Sequence, residues 1–79
     1  MIPLYGFLEG DTMGLLMLAR EAESVAQLAD RLQKSASLRV ATRARVRLLY
    51  RGREIDPRMT VLQAGFEPLE RFDVVSVPP

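Results

Sequence analysis

An α+β fold, with one helix laid across a mixed β-sheet, is what this chain of 79 residues predicts. Three observations carry it. Two apolar stretches flank the turn residues Glu9-Gly10-Asp11, which is the pattern of an antiparallel hairpin. Val25, Leu28, Ala29 and Leu32 then recur at i, i+3, i+4 and i+7, one apolar stripe on a helix. From Arg45 onward the period falls to two, and a strand, a turn, a stub strand, a capped helical turn and a last strand follow one another. The helix supplies the crossover between non-local strands, so the first and last strands are predicted to lie parallel in the middle of the sheet. Length and continuity make residues 1–79 a single domain.

The elements are justified in order. Ile2 to Leu8 reads as a strand, with Pro3 placed where a missing N–H is tolerated, near the strand start. Thr12 to Arg20 reads as its hairpin partner. This second strand is apolar on both sides, with Met13, Leu15 and Met17 on one and Leu16 and Leu18 on the other. A half-exposed antiparallel strand alternates apolar with polar, so the second apolar side predicts that something covers it. Gly6 and Gly14 are the positions where a bulge would alter the register.

Ser24 and Gln27 form a capping-box pair at the helix start. Glu23 before the first turn and Lys34 in the last suit the helix dipole, and the periodicity is lost after Ser35. Leu38 to Ala44 reads as a loop. Arg45 to Arg51 alternates: Val46, Leu48 and Tyr50 point to the core, and Arg45, Arg47, Leu49 and Arg51 point away. Gly52 makes a turn, Glu54-Ile55 is the stub strand, and Asp56-Pro57 turns the chain again. Thr60 caps a single helical turn that Gly65 stops, Phe66 drops into the core, and Phe72 to Val77 is the final strand.

The composition removes whole classes of chemistry. The chain has no cysteine and no histidine, so it lacks a thiolate nucleophile, the commonest general base and the commonest metal ligands. Its carboxylates show no local metal-binding spacing. There is no phosphate-binding loop, dinucleotide motif or nucleophile elbow, and Gly6, Gly10 and Gly14 fall in the hairpin, not ahead of a helix. No basic residue precedes Arg20, which is unlike a signal peptide, and the longest apolar run, Leu15 to Ala19, is far too short to span a membrane. The absence of cysteine fits a cytoplasmic protein.

Net charge is +1 but unevenly spread. Residues 1–30 carry five acids against Arg20, and residues 31–58 carry nine cations against Glu54 and Asp56. That asymmetry marks either an anionic partner or a solvated arginine face, the second being the more ordinary. Nucleic acid is disfavoured, because Tyr50 is the only aromatic residue among the arginines from Arg39 to Arg58.

Two resemblances follow from these residues. Tyr50-Arg51-Gly52-Arg53-Glu54-Ile55, then Thr60-Val61-Leu62 and Gly65-Phe66, resembles the ubiquitin superfamily and implies a β-grasp fold. Over nearly the whole length the chain is also similar to the system protein B, or gamma subunit, family of bacterial toluene-type multicomponent monooxygenases. The matching pieces, in order, are Ile2-Pro3, the acidic turn Phe7-Leu8-Glu9-Gly10-Asp11, Leu15-Leu16-Met17-Leu18, Arg58-Met59-Thr60-Val61, Gly65-Phe66-Glu67-Pro68 and Asp73-Val74-Val75. Ser76-Val77-Pro78-Pro79 departs from the acidic end of that family.

The second resemblance implies a non-catalytic cytoplasmic subunit with no cofactor of its own. It would dock on a large alpha subunit holding a diiron centre, beside a beta subunit, in a complex that hydroxylates aromatic compounds or alkenes. The diiron signature Glu-x-x-His needs a histidine this chain lacks. Candidate contact residues are Leu16, Leu18, Arg45, Arg47, Leu49 and Arg51: leucines for an apolar patch, arginines for bidentate pairing with carboxylates. The alternative is a free-standing ubiquitin-like adaptor, such as those of bacterial secretion systems. Conjugation as a modifier needs a flexible Gly-Gly end, where this sequence has Pro78-Pro79.

Overall fold

The computed structural model describes residues 1–78. The strands are β1 (Ile2–Leu8), β2 (Gly14–Ala19), β3 (Val46–Tyr50), β4 (Arg53–Ile55) and β5 (Arg71–Ser76). The helices are α1 (Val25–Ser35) and the single turn α2 (Val61–Ala64). The sheet runs in the order β2-β1-β5-β3-β4. β1 and β5 are parallel at its centre, and the other pairings are antiparallel. This is the arrangement the hairpin, crossover and returning strands predict.

α1 crosses one face of the sheet. Val25, Leu28, Ala29 and Leu32 are buried there, as their spacing requires, against Leu4, Leu48, Phe72 and Val74. Phe66 closes the end of this core, with its ring centroid 4.5 Å from Tyr50 and 6.1 Å from Phe72. The Tyr50 hydroxyl is satisfied at the core margin. It donates to Glu70 at 3.1 Å and accepts from the Glu67 N–H at 3.3 Å, and burial pushes the phenol pKa up.

Both helix starts carry complete capping boxes. The Ser24 hydroxyl accepts from the Gln27 N–H at 3.1 Å, and the Gln27 side chain accepts from the Ser24 N–H at 2.9 Å. Thr60 and Gln63 repeat the arrangement at 3.1 and 3.0 Å. The two caps lie side by side as an antiparallel bridge. Across it, Val25 N–H donates to Met59 and Ala26 N–H to Pro57, while Val61 N–H donates to Glu23 and Leu62 N–H to Glu21. Each helix start thus takes carbonyls from the chain leading into the other.

Three sequence expectations are corrected. β2 starts at Gly14, not Thr12, because Asp11 accepts from the Met13 N–H and extends the turn. Neither Gly6 nor Gly14 forms a bulge: the β1–β2 register is unbroken from Ile2↔Ala19 to Phe7↔Gly14. Both glycines instead make room for rings, since a Cβ would lie 2.8 Å from Phe72 Cζ at Gly6 and 2.4 Å from Phe7 Cζ at Gly14. Finally, β3 stops at Tyr50, so its alternation does not reach Arg51. Arg51 and Gly52 both have positive φ, 53° and 75°, and form the two-residue turn into β4.

Candidate functional site

Among the described residues, no element covers the face of the sheet opposite α1. Residues out of phase with the core lie on it: Pro3, Tyr5 and Phe7 from β1, Leu16 and Leu18 from β2, and Arg71, Asp73 and Val75 from β5. Arg47 and Leu49 join them from β3, and Glu54 from β4. Register aligns Leu18 with Pro3 and Leu16 with Tyr5, so the β1–β2 half is apolar. Its side chains are wet, at 59% exposure for Leu16, 52% for Leu18 and 41% for Tyr5.

The other half is built from ion pairs. Arg71 binds Asp73 through two nitrogens at 2.8–3.2 Å and lays its guanidinium over the Phe7 ring, 4.0 Å from the centroid. The Asp73 carboxylate raises the Arg71 pKa. Arg47 meets Glu54 at 3.5 Å. Gly14 is what lets Phe7 lie flat at the boundary, since a side chain there would occupy the ring's place.

Four of the six candidate contact residues, Leu16, Leu18, Arg47 and Leu49, share this open face, although β1 and β5 separate the two leucines of β2 from the β3 pair. Arg45 precedes β3 and lines the groove between that strand and α1. Arg51 leaves the face altogether. Turned by its positive φ, it pairs with Glu70, approaches Glu67 at 3.8 Å and stands 5.1 Å over the Tyr50 ring. The expected arginine-rich face is therefore narrower than the alternation implies. Tyr5, Phe7, Arg71 and Asp73 were not among the candidates, and they form the centre of the face. The signal for them was present: the alternation of Leu4, Gly6 and Leu8 toward the core sends Tyr5 and Phe7 outward, and hairpin pairing sets Tyr5 beside Leu16.

The charge asymmetry of the sequence is largely cancelled by folding. Arg31 pairs with Glu23 at 2.6 Å, Lys34 with Asp30 at 3.0 Å, Arg39 with Asp11 at 3.0 Å and Arg51 with Glu70, each joining the basic segment to an acidic one. Arg47 and Arg58 pair within their own segment. Of the nine cations in residues 31–58, Arg43, Arg45 and Arg53 make no ion pair among the described residues. Among the described residues, no three acidic side chains converge as a metal site would require, and no helix is long and apolar enough to cross a membrane.

The same architecture occurs in solved structures. Over 99% of this chain and 95% of the other, the ubiquitin of Caldiarchaeum subterraneum superposes with a TM-score of 0.80 at 14% identity. A chain from a structure of molecular mimicry of SUMO in DNA repair matches with a TM-score of 0.79 at 22% identity, over 94% of this chain and 89% of the other. The fold is thus a ubiquitin-like β-grasp. A chain of toluene 4-monooxygenase, in an HD complex with the inhibitor 4-bromobenzoate, matches with a TM-score of 0.88 at 25% identity, over 96% of this chain and 98% of the other. No curated protein sequence matches at a significant level. The family profile of toluene-4-monooxygenase system protein B matches residues 1–76, nearly the whole sequence, and with that agreement of sequence and fold this chain belongs to the TmoB family.

Proposed function

We propose that this chain is the gamma subunit of a bacterial multicomponent monooxygenase hydroxylase of the toluene-4-monooxygenase type, docking on the large diiron subunit through the open sheet face. The observation that carries this reading is the full-length match to a chain of toluene 4-monooxygenase in complex. The open face supplies the physical means. Tyr5, Leu16 and Leu18 offer an apolar patch at one side, and the paired Arg71, Asp73, Arg47 and Glu54 offer a polar margin at the other. An apolar patch bordered by polar and charged groups is a surface that a protein partner can bury. A face whose arginines are already neutralised is poorly suited to a nucleic-acid backbone. On this reading the chain does no chemistry, the iron is held entirely by the partner, and the beta subunit completes the cytoplasmic assembly. The substrate is an aromatic hydrocarbon or an alkene.

Co-expression with the large and beta subunits of such a hydroxylase tests this. The wild-type chain is expected to co-purify with them. The double variant Tyr5→Asp, Leu18→Asp is expected to fold with a stability within about 0.5–1 kcal/mol of wild type, because both residues are at the surface, and to drop out of the complex. A chain that stays alone beside those subunits, with full hydroxylase activity in its absence, overturns the proposal.

A further inference from the structure

β2 is an edge strand, and among the described residues no strand pairs with its outer side. Its register with β1 determines which main-chain groups point outward. Pro3 lies opposite Leu18, Tyr5 opposite Leu16 and Phe7 opposite Gly14. On β1, the Pro3 carbonyl and the Tyr5 N–H are used on the β5 side, by the Leu69 N–H at 2.6 Å and the Glu70 carbonyl at 3.0 Å. These opposed residues are therefore the non-hydrogen-bonded pairs of the antiparallel ladder. The N–H and C=O groups of Gly14, Leu16 and Leu18 consequently face away from the sheet. One of them is taken: Arg31 Nη2 donates to the Leu18 carbonyl at 2.8 Å, and that guanidinium is held by Glu23 at 2.6 and 2.8 Å. A short ladder remains, from Gly14 to the Leu18 N–H, closed at its end by Arg31.

Sheet edges are ordinarily defended by charge, proline or a bulge. β2 has none of these: no charged residue and no proline lies between Asp11 and Arg20, and the register is regular. The exposed side chains along the edge are Leu16 and Leu18.

We propose that β2 accepts a strand: an extended segment of the partner subunit pairs with Gly14–Leu18 and continues the sheet past its edge. This rests on the docking reading above and names how the contact is made at its margin. The side chains of the added strand alternate. Those beside Leu16 and Leu18 are apolar. Those on the other side border the groove of Arg20, Gln27 and Asp30 and are polar. A second copy of this chain is the poorer occupant. Centred on Leu16, two β2 edges would direct each Gly14 N–H at a Leu18 carbonyl that Arg31 already occupies. A six-residue edge alone also falls well short of the roughly 800 Å² per side of a stable interface. A partner already seated on Tyr5, Leu16 and Leu18 reaches the ladder within the same contact.

The outward N–H of Leu16 has no partner among the described residues, so it can be removed on its own. Leu16→Pro deletes it, and Leu16→Ala shortens the side chain and keeps it. With the co-expressed hydroxylase subunits as the probe, Leu16→Pro is expected to bind about tenfold more weakly than Leu16→Ala, or weaker still. Equal affinity of the two variants overturns the inference. A second measurement stands whether or not the proline variant folds: hydrogen exchange of the Leu16 and Leu18 amides in the wild-type complex, read by NMR after release of the chain. Slowed exchange in the complex supports strand addition. Exchange at the rate of the free chain overturns it and leaves docking through the open face intact. Slowing in the isolated chain as its concentration rises assigns the edge to a second copy and also overturns it. Failure of the wild-type chain to form any complex sinks the docking reading, and this inference with it.

Discussion

Replacing Gly6 with alanine isolates the tightest point of the core. Gly6 lies on the helix side of β1, between Leu15 of β2 and Phe72 of β5. A Cβ there would stand 2.8 Å from Phe72 Cζ and 3.0 and 3.1 Å from the two Leu32 methyls. Comfortable carbon–carbon contact is about 3.5–4.0 Å, so the overlap with the ring is roughly 0.7 Å or more. Phe72 and Leu32 are both at 0% exposure, so neither has solvent to move into. Overpacking of this kind costs about 1–3 kcal/mol, against which alanine gains about 0.5–1 kcal/mol over glycine in a strand. With both neighbours fully buried the upper part of that cost applies, so the net loss is expected near ~1–2 kcal/mol, or roughly 4–16 °C in Tm for a domain of this size. Thermal and urea unfolding measure it. Combining Gly6→Ala with Phe72→Leu, which withdraws the ring tip, should recover about 0.5–2 kcal/mol relative to the sum of the single changes. A Gly6→Ala protein as stable as wild type, or a double variant that is simply additive, refutes the reasoning. Gly14→Ala is the control: its Cβ meets Phe7 Cζ at an even closer 2.4 Å, yet Phe7 sits on the open face and can swing away. The shorter contact should therefore give the smaller loss, because burial decides the cost more than distance does.

Three other outcomes are expected. Ser24→Ala and Thr60→Ala should each lose about 1 kcal/mol by urea titration, since each hydroxyl accepts the N3 amide of its helix. Gly65→Ala should lose about 1–2 kcal/mol purely from its φ of 75°, because a Cβ there meets nothing within 4 Å, and Gly65→Asn should lose less. Stability should be flat from about pH 5.5 to 7, since the chain has no histidine, and should fall below about pH 4. The acid loss follows from four carboxyls held below their ordinary range: Glu9 by its hydrogen bonds from Ser76, Asp11 by Arg39, Asp56 by Arg58 and Glu70 by Arg51. A carboxyl with a depressed folded pKa stabilises fully above its unfolded value and loses that contribution as pH drops through the folded one. Urea midpoints across the range check the profile, and Ser76→Ala should make the acid limb shallower.

Local rules account for most of what was legible in the sequence. The two helix starts, the stop at Gly65, the buried stripe of α1 and the outward Leu16 and Leu18 each follow from spacing within one element, and the structure keeps all of them. What escaped depends on pairing between elements. Gly6 and Gly14 resemble bulge residues until the rings of Phe72 and Phe7 are seen lying against them. Arg51 continues the alternation of β3 in the sequence, but the two-residue turn ends that alternation by reversing its φ. The central face residues Arg71 and Asp73 come from the last strand and meet Tyr5 and Phe7 only through the parallel β1–β5 ladder, a contact that no local period encodes. Segmental charge gave the uneven spread but not the pairing, for the same reason: the acids of the first thirty residues meet the later arginines only in three dimensions.

The bridged caps of α1 and α2 bear on how this domain comes apart. Hairpin plus helix forms one half and the last three strands the other; beyond the core they share, two main-chain seams join them, the β1–β5 ladder and the Ser24–Thr60 latch. The seams lie on different levels of the fold, one within the sheet and one at the helix starts. Opening either exposes main-chain donors that have no other partner among the described residues. Neither half can therefore fray alone, and the single turn of α2, too short to persist by itself, borrows its persistence from α1. The domain should melt as one cooperative unit, so a partner that grips the β2 edge holds β5, the last strand, in place as well.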